Sequence, residues 1–288
     1  MSKESLFYTK LENGRVCCGL CPHNCEIPDG GKGFCRVRSN RGGVLYSDSY
    51  GTVSGIALDP IEKKPLYRFH PGSMIFSVGN YGCNLRCLFC QNHSISMTAP
   101  EASAERISPE RLAALATQYI KDGNIGIAYT YNEPLIGYEY VYDCAVLAKK
   151  QNLFNVLVTN GFINPEPLVK LLPFIDALNI DLKSFDGNFY NNIKGDLKCV
   201  MNTIETASVH AHVEITTLVV PDENDSDDEM DALARFVASV NPDIPLHLSR
   251  FFPKYKMNGK TPTPKETVFR LQKIAMKYLN YVYLGNMR

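Results

Sequence analysis

Three cysteines fall within eight residues of one another in this chain, Cys83, Cys87 and Cys90, spaced by three residues and then two. Thiolates placed this densely suit a metal centre. A closed structural zinc site takes four ligands, and so does an iron–sulfur cubane with every iron held by protein. Three thiolates leave one iron of a [4Fe–4S] cluster free to take a ligand from outside the chain. A second set, Cys18, Cys21, Cys25 and Cys35, is spaced by two, three and nine residues among glycines that permit tight turns. Four thiolates can close a site, and zinc or a second [4Fe–4S] cluster both fit. Cys17 and His23 are alternative ligands there. Cys144 and Cys199 stand alone in helix-like surroundings and read as small buried residues.

A disulfide framework is the competing use of ten cysteines, but it belongs to small secreted domains, not to a chain of 288 residues. The first residues lack the apolar stretch of a secretion signal, so the expected compartment is the cytoplasm. No apolar run approaches the ~18 residues that span a bilayer. Basic and acidic residues number 30 each, which argues against a general nucleic-acid or membrane-surface binder. With 45% hydrophobic residues the chain is globular.

The thiols need elements to hold them. Residues 1–72 read as a small Cys-rich metal-binding module: "IPDGGKGF" and "SNRGGVLYS" are turn-like, "GVLYSDSYGTVSGIAL" reads as a short hairpin, and "DPIEKKPLYRFHPGS" as an irregular connection. Residues 73–288 alternate β-rich runs with helical segments. Six runs, "MIFSVG", "IGIAYTY", "NVLVTNG", "ALNIDLK", "HVEITTLVV" and "PLHLSRF", are followed by a short closing one, "YVYL". Between them "SPERLAALATQYIKDG" has an N-cap serine, a first-turn proline and a stop glycine, and "DSDDEMDALARFVASV" opens on acidic residues that suit a helix N-terminus. Repeated strand–helix alternation predicts a parallel α/β fold. In such folds function gathers at the C-terminal strand ends. Those ends are polar here: Asn132 and Glu133, Asn160, Asp181 and Lys183, Glu214 and Thr216, His247, Ser249 and Arg250. Alternation puts Asp181 and Lys183 on one face, as it does Glu214 with Thr216 and His247 with Ser249. Glu214, His247 and Arg250 are the candidate catalytic residues.

"CNLRCLFC" directly after a strand, with Phe89 before the last cysteine, resembles the radical S-adenosylmethionine (SAM) superfamily. The resemblance implies a partial (β/α)6 barrel, a [4Fe–4S] cluster on Cys83, Cys87 and Cys90, and SAM chelated to the open iron and cleaved reductively to a 5'-deoxyadenosyl radical. It also implies SAM contacts from Asn132 and Glu133 (with Asn132 where the superfamily commonly has glycine), Asn160, Asp181 and Lys183, and an electron donor of flavodoxin or ferredoxin type. Together with "CGLCPHNC", "GFCRVRSNRGGVLYS", "DPIEKKPLYRFHPGS", "YTYNEP", "NIDLKSF", "VEITTLVVP" and "HLSRFFPKYKM", the resemblance narrows to the AmmeMemoRadiSam-system radical SAM enzymes, relatives of pyruvate formate-lyase activating enzyme, over residues 16–286. AMMECR-type and Memo-type partners are implied with it. Two other readings stay open, an activase that makes a glycyl radical on a partner protein and a non-catalytic Fe–S redox module.

Overall fold

The computed structural model describes residues 2–288. Six short strands come first: β1 (Lys3–Glu4), β2 (Tyr8–Lys10), β3 (Val16–Cys18), β4 (Glu26–Ile27), β5 (Arg38–Arg41) and β6 (Val44–Ser47). They make two small antiparallel sheets, ordered β1-β6-β5 and β2-β3-β4. The β5–β6 turn is Gly42-Gly43, both at positive φ (61° and 77°), the backbone of a tight two-residue hairpin that only glycine adopts freely. That turn decides the pairing. β6 therefore runs back along β5, and the hairpin expected from Gly43 onward does not form between β6 and the strand after it.

That next strand, β7 (Gly55–Pro60), instead pairs antiparallel with β8 (Met74–Gly79), from Gly55 opposite Gly79 to Pro60 opposite Met74. Beyond β8 the strands are all parallel: β9 (Asn124–Thr130), β10 (Phe154–Thr159), β11 (Ala177–Asp181), β12 (His212–Val219), β13 (Leu246–Arg250) and β14 (Val282–Gly285). The eight-stranded sheet runs β14-β13-β12-β11-β10-β9-β8-β7. This is the α/β partial-barrel arrangement expected from the alternation, with the six parallel runs present and "YVYL" as a seventh parallel strand. The helices Pro109–Gln118 and Asp227–Val240 start where their caps predict, with Ser108 accepting from the Arg111 N–H and Ser226 from that of Glu229. Among the described residues no helix is long and apolar enough to cross a membrane.

The proposed module boundary at residue 72 is not where the sheet divides, because β7 and the segment after it belong to the barrel. Residues 61–70 lie against the barrel's lower interior. Ile61, Leu66 and Phe69 pack with Ile75, Ala128, Val156 and Ala177 into an apolar floor. Prolines at 60 and 65 bias the residues before them away from helix, and polar groups inside the barrel hold the segment. The Asn179 side chain donates to Pro65 O (2.8 Å), and Glu214 accepts from the backbone of Tyr67 (3.0 Å) and Arg68 (2.8 Å).

The N-terminal sheets dock through a buried ion pair. Arg38, 1% exposed, donates to Glu139 at 2.6 Å and to Ile136 O at 3.1 Å. Glu139, on the helix Tyr138–Lys150, also accepts from Leu6 N (3.0 Å). Removing one partner of a buried pair strands the other charge, at a cost of about 3–5 kcal/mol. Glu139→Leu is therefore expected to lower the urea-unfolding free energy by about that amount. An unchanged midpoint would show that the module docks by its apolar contacts alone.

Candidate functional site

A cavity of about 430 Å³ opens at the C-terminal strand ends. Its walls include Cys83, Cys87 and Cys90 and also Asn132, Glu133, Asn160, Asp181 and Lys183. These side chains are delivered by four different strand ends, after β8, β9, β10 and β11, and the sequence reading had grouped them. The thiols are set deep. Burial pushes Cys83 well above its ordinary pKa and Cys87 up to about 11, with Lys183 pulling Cys87 back. A thiolate here needs a cation beside it. The Cys83 sulfur already accepts from the Leu85 N–H (3.3 Å) and the Asn160 side chain (3.7 Å), contacts that suit a ligating thiolate. Three cysteines in a pocket fit a cubane with one open iron. Among the described residues no three His, Cys, Asp or Glu side chains are drawn together around one point as ligands of a single ion would be.

Glu133 is tightly held in the cavity wall. It caps the short helix Pro134–Gly137. One carboxylate oxygen accepts from Leu135 N (3.0 Å) and Thr159 Oγ1 (2.7 Å), the other from Asn160 N (2.7 Å). Burial raises its pKa to about 7, against the pull of those donors. A cation arriving in the cavity would favour the ionised form. Asn132 does a different job. Its side chain accepts from Asn80 N (2.9 Å) and donates to Gly82 O (3.0 Å), so it ties the β9 end to the turn that launches the cysteine loop. Gly82 itself has φ +82°, and a Cβ there would come within 2.7 Å of Cys35 O. Asp181 and Lys183 form a pair at 2.8 Å. Burial works against the Lys183 ammonium, but Asp181 and Cys87 outweigh it and keep the charge.

Other candidates lie elsewhere. Thr216 and Ser249 line the cavity, but Glu214 and His247, their same-face neighbours two residues earlier, do not. Glu214, with no solvent exposure, accepts from His247 Nε2 (2.6 Å), His212 Nε2 (2.9 Å) and the backbone of residues 67 and 68. Despite burial, the histidine and backbone donors hold its pKa down at about 2. It is a clamp for the floor segment, which takes Glu214 and His247 out of the cavity wall. Arg250 turns to the other face, where it donates to Thr263 O and Arg288 O and lies over the Phe252 ring.

The sequence reading missed Lys63 and Lys64, which also line the cavity together with Tyr131 from the β9 end. The two adjacent lysines in a short proline-flanked run were the available signal. Cys18, Cys21, Cys25 and Cys35 gather around a second, much smaller cavity with His23 and Arg38. Cys17 faces away and donates to Asn24 O (3.5 Å). His23 is engaged with Asn84 O (2.8 Å) and packs against Phe34 and Phe162. Cys144 is fully buried, while Cys199 is partly exposed and donates to Ile163 O (3.2 Å).

The comparisons with known proteins agree with this geometry. The sequence profile of the Radical SAM superfamily matches residues 78–236. An uncharacterized protein of Methanocaldococcus jannaschii is 43% identical over 99% of this chain and 85% of its own length. Pyruvate formate-lyase 1-activating enzyme of Escherichia coli is 27% identical over 68% of this chain and 86% of its own. Among solved structures, a radical SAM methyltransferase from Sphaerobacter thermophilus superposes with a TM-score of 0.59 at 14% identity, covering 98% of this chain and 76% of that one, a likeness of fold alone. From the strand–cysteine-loop geometry and these matches together, the chain belongs to the radical SAM superfamily.

Proposed function

We propose that this chain is a SAM-cleaving enzyme of the AmmeMemoRadiSam-system type, with its reaction centre in the cavity that joins Cys83, Cys87 and Cys90 to Glu133, Asn160, Asp181 and Lys183. That joining, from separate strand ends, is the observation that carries the reading. Cys83, Cys87 and Cys90 would hold a [4Fe–4S] cluster, and the cluster, when bound, supplies the electron that breaks the sulfonium C–S bond of SAM to give a 5'-deoxyadenosyl radical. Glu133 receives the SAM ammonium, a charge-assisted contact inside a buried wall. Asn160 steadies Cys83 and shares its backbone N–H with Glu133. The Asp181–Lys183 pair offers an acceptor to the ribose hydroxyls and a donor to the carboxylate. Asn132 positions the cysteine loop through its bond to Gly82.

The N-terminal cysteines hold a second metal, zinc or a [4Fe–4S] cluster, in this reading. The support is Arg38: its Nη1 is buried with no hydrogen-bond partner, beside Cys18 and Cys35. A buried guanidinium donor left unmatched is costly, and four thiolates around a metal would supply the missing negative acceptor. A one-electron donor of flavodoxin or ferredoxin type completes the chemistry, AMMECR-type and Memo-type proteins are the expected companions, and the thiol-rich sites suit a cytoplasmic, reducing setting. The likeness to an activating enzyme keeps one variant in view, in which the hydrogen donor is a glycine of a partner protein. A redox module without catalysis leaves Glu133, Asp181 and Lys183 around the thiols unexplained.

Anaerobic reconstitution with iron and sulfide, followed by SAM and dithionite, is expected to yield 5'-deoxyadenosine from the wild type and none from Cys87→Ala. Metal analysis of the same samples should give about eight irons, or about four with one zinc. Cys35→Ser should lose the second centre and leave the barrel's about four irons. Deoxyadenosine that survives Cys87→Ala, or that disappears only with Cys35→Ser, reverses the assignment of the two sites.

Glu133 makes a pH prediction. Its carboxyl pKa is raised to about 7, and the ionised form is the one that attracts an ammonium. SAM affinity should therefore be full above that pH and fall as pH drops through it. Glu133→Gln should bind SAM at least about tenfold more weakly at pH 8, about 1.4 kcal/mol, and lose the pH dependence. Equilibrium dialysis of radiolabelled SAM reads both, and a wild-type affinity flat between pH 6 and 8 would remove Glu133 from the ammonium site.

A further inference from the structure

The floor segment does more than close the barrel. It carries Lys63 and Lys64 to the wall of the same cavity as the three cysteines. Lys64 is 3% exposed. Its ammonium meets Asp59 Oδ2 at 2.8 Å and lies 4.8 Å from the centre of the Tyr131 ring. Lys63 meets Asp59 Oδ1 at 3.3 Å, and the Tyr131 hydroxyl donates to Oδ2 at 2.9 Å. Two ammonium groups thus share one carboxylate, which leaves one positive charge in excess. Burial works against the Lys64 charge and pulls its pKa below the ordinary value, with Asp59 opposing.

The other charges of the cavity are matched. Lys183 has Asp181. Glu133 has its three donors and, on the reading above, the ammonium of SAM. A lysine buried in a cavity wall costs desolvation that an apolar side chain would avoid. The floor could be closed without it, since Ile61, Leu66 and Phe69 supply the apolar packing. The chain nonetheless holds the lysine-bearing segment rigidly, through Asn179 to Pro65 O and Glu214 to the backbone of Tyr67 and Arg68. Rigid placement of a charge is what recognition of a charged ligand requires.

We propose that the Lys63–Lys64–Asp59–Tyr131 group is an oxyanion seat, and that the substrate of this enzyme is an acid whose carboxylate or phosphate docks there. The proposal rests on the radical SAM reading for the identity of the reaction, but not for the existence of the seat. Lys64 supplies the buried charge. Asp59 orients both ammonium groups and accepts the Tyr131 O–H hydrogen bond, so the ring keeps its proton and stays a neutral wall. Lys63, largely in solvent (67% exposed), meets the anion at the cavity's outer edge.

The test uses reconstituted protein with and without SAM, titrated with inorganic phosphate or with malonate, against potassium chloride at equal ionic strength. One of the two anions is expected to give a saturable rise in thermal midpoint beyond that of chloride, and which one does so tells a phosphate substrate from a carboxylate. Lys64→Met should abolish the rise, and Lys63→Met should weaken the anion's apparent affinity about threefold or more. Because Lys64→Met removes the buried partner of Asp59 and leaves it only the exposed Lys63 and the Tyr131 hydroxyl, the paired variant Asp59→Asn with Lys64→Met serves as the folded control, each protein being compared with its own anion-free midpoint. No rise beyond chloride for either anion, or a rise that survives in both Lys64 variants, overturns the seat. SAM binding measured by dialysis in the same samples fails or succeeds separately, so loss of the radical SAM reading and loss of the seat are distinct results.

Discussion

The Glu214 carboxylate sits inside the barrel with no exposure and accepts from four donors, two imidazole N–H groups and two backbone amides. Much of the architecture hangs on it. A carboxylate surrounded by N–H groups can only accept, so His212 and His247 both present Nε2–H to it. The two amides lie past the short 3-10 helix Ile61–Lys63 in an irregular stretch, and amides buried without partners would each carry a desolvation cost. Glu214 meets that cost for Tyr67 and Arg68, and Asn179 does the same for Pro65 O. The floor of an open barrel is thereby closed by a loop, and Lys64 is held in the wall of the cavity that the cysteines also line.

A second buried carboxylate, Glu133, stands near the other end of the strands and behaves oppositely. Glu214 is held ionised by its donors, with its pKa at about 2. Glu133 has three donors, but Asp181 adds to its burial, and its pKa rises to about 7. The first is a finished structural joint. The second keeps a raised pKa that a cation in the cavity would lower, the property expected of a group that binds an ammonium in a dry cavity.

The N-terminal module is built into the cysteine loop. Gly82 must lack a side chain because Cys35 O lies where a Cβ would go. Arg86, between the first two barrel cysteines and adjacent to the second, lies 3.8 Å over the Phe34 ring and donates to Phe34 O. His23 bonds Asn84 O, and the Asn84 side chain meets both Asn160 (2.9 Å) and Phe162 O (2.7 Å). The loop that carries the barrel thiols is therefore sandwiched between the module and the β10 end. Disorder on either side would be felt at Cys83.

Residue types and spacing alone gave the three-thiol site and most of the scaffold, and the chemistry was what the family resemblance implied. Three thiols after a strand, the polar ends of the next strands and the two-residue period were enough to group Cys83, Cys87, Cys90, Glu133, Asn160, Asp181 and Lys183, because parallel strands bring their C-terminal ends to one rim whatever the details of packing. What periodicity cannot encode is height. Glu214 and Thr216 share a face, yet two residues along a strand is about 7 Å, and that step separates a clamp beneath the cavity from a residue lining it. The same holds for His247 and Ser249. Nor could local pattern show that β7 pairs with β8, or that "DPIEKKPLYRFHPGS" turns inward, since both depend on partners 14 to 147 residues away in the chain. The sequence alone decided which side chains face the barrel interior. Tertiary structure decided how deep each one lies, because depth is set by strand register and by the loop that fills the floor.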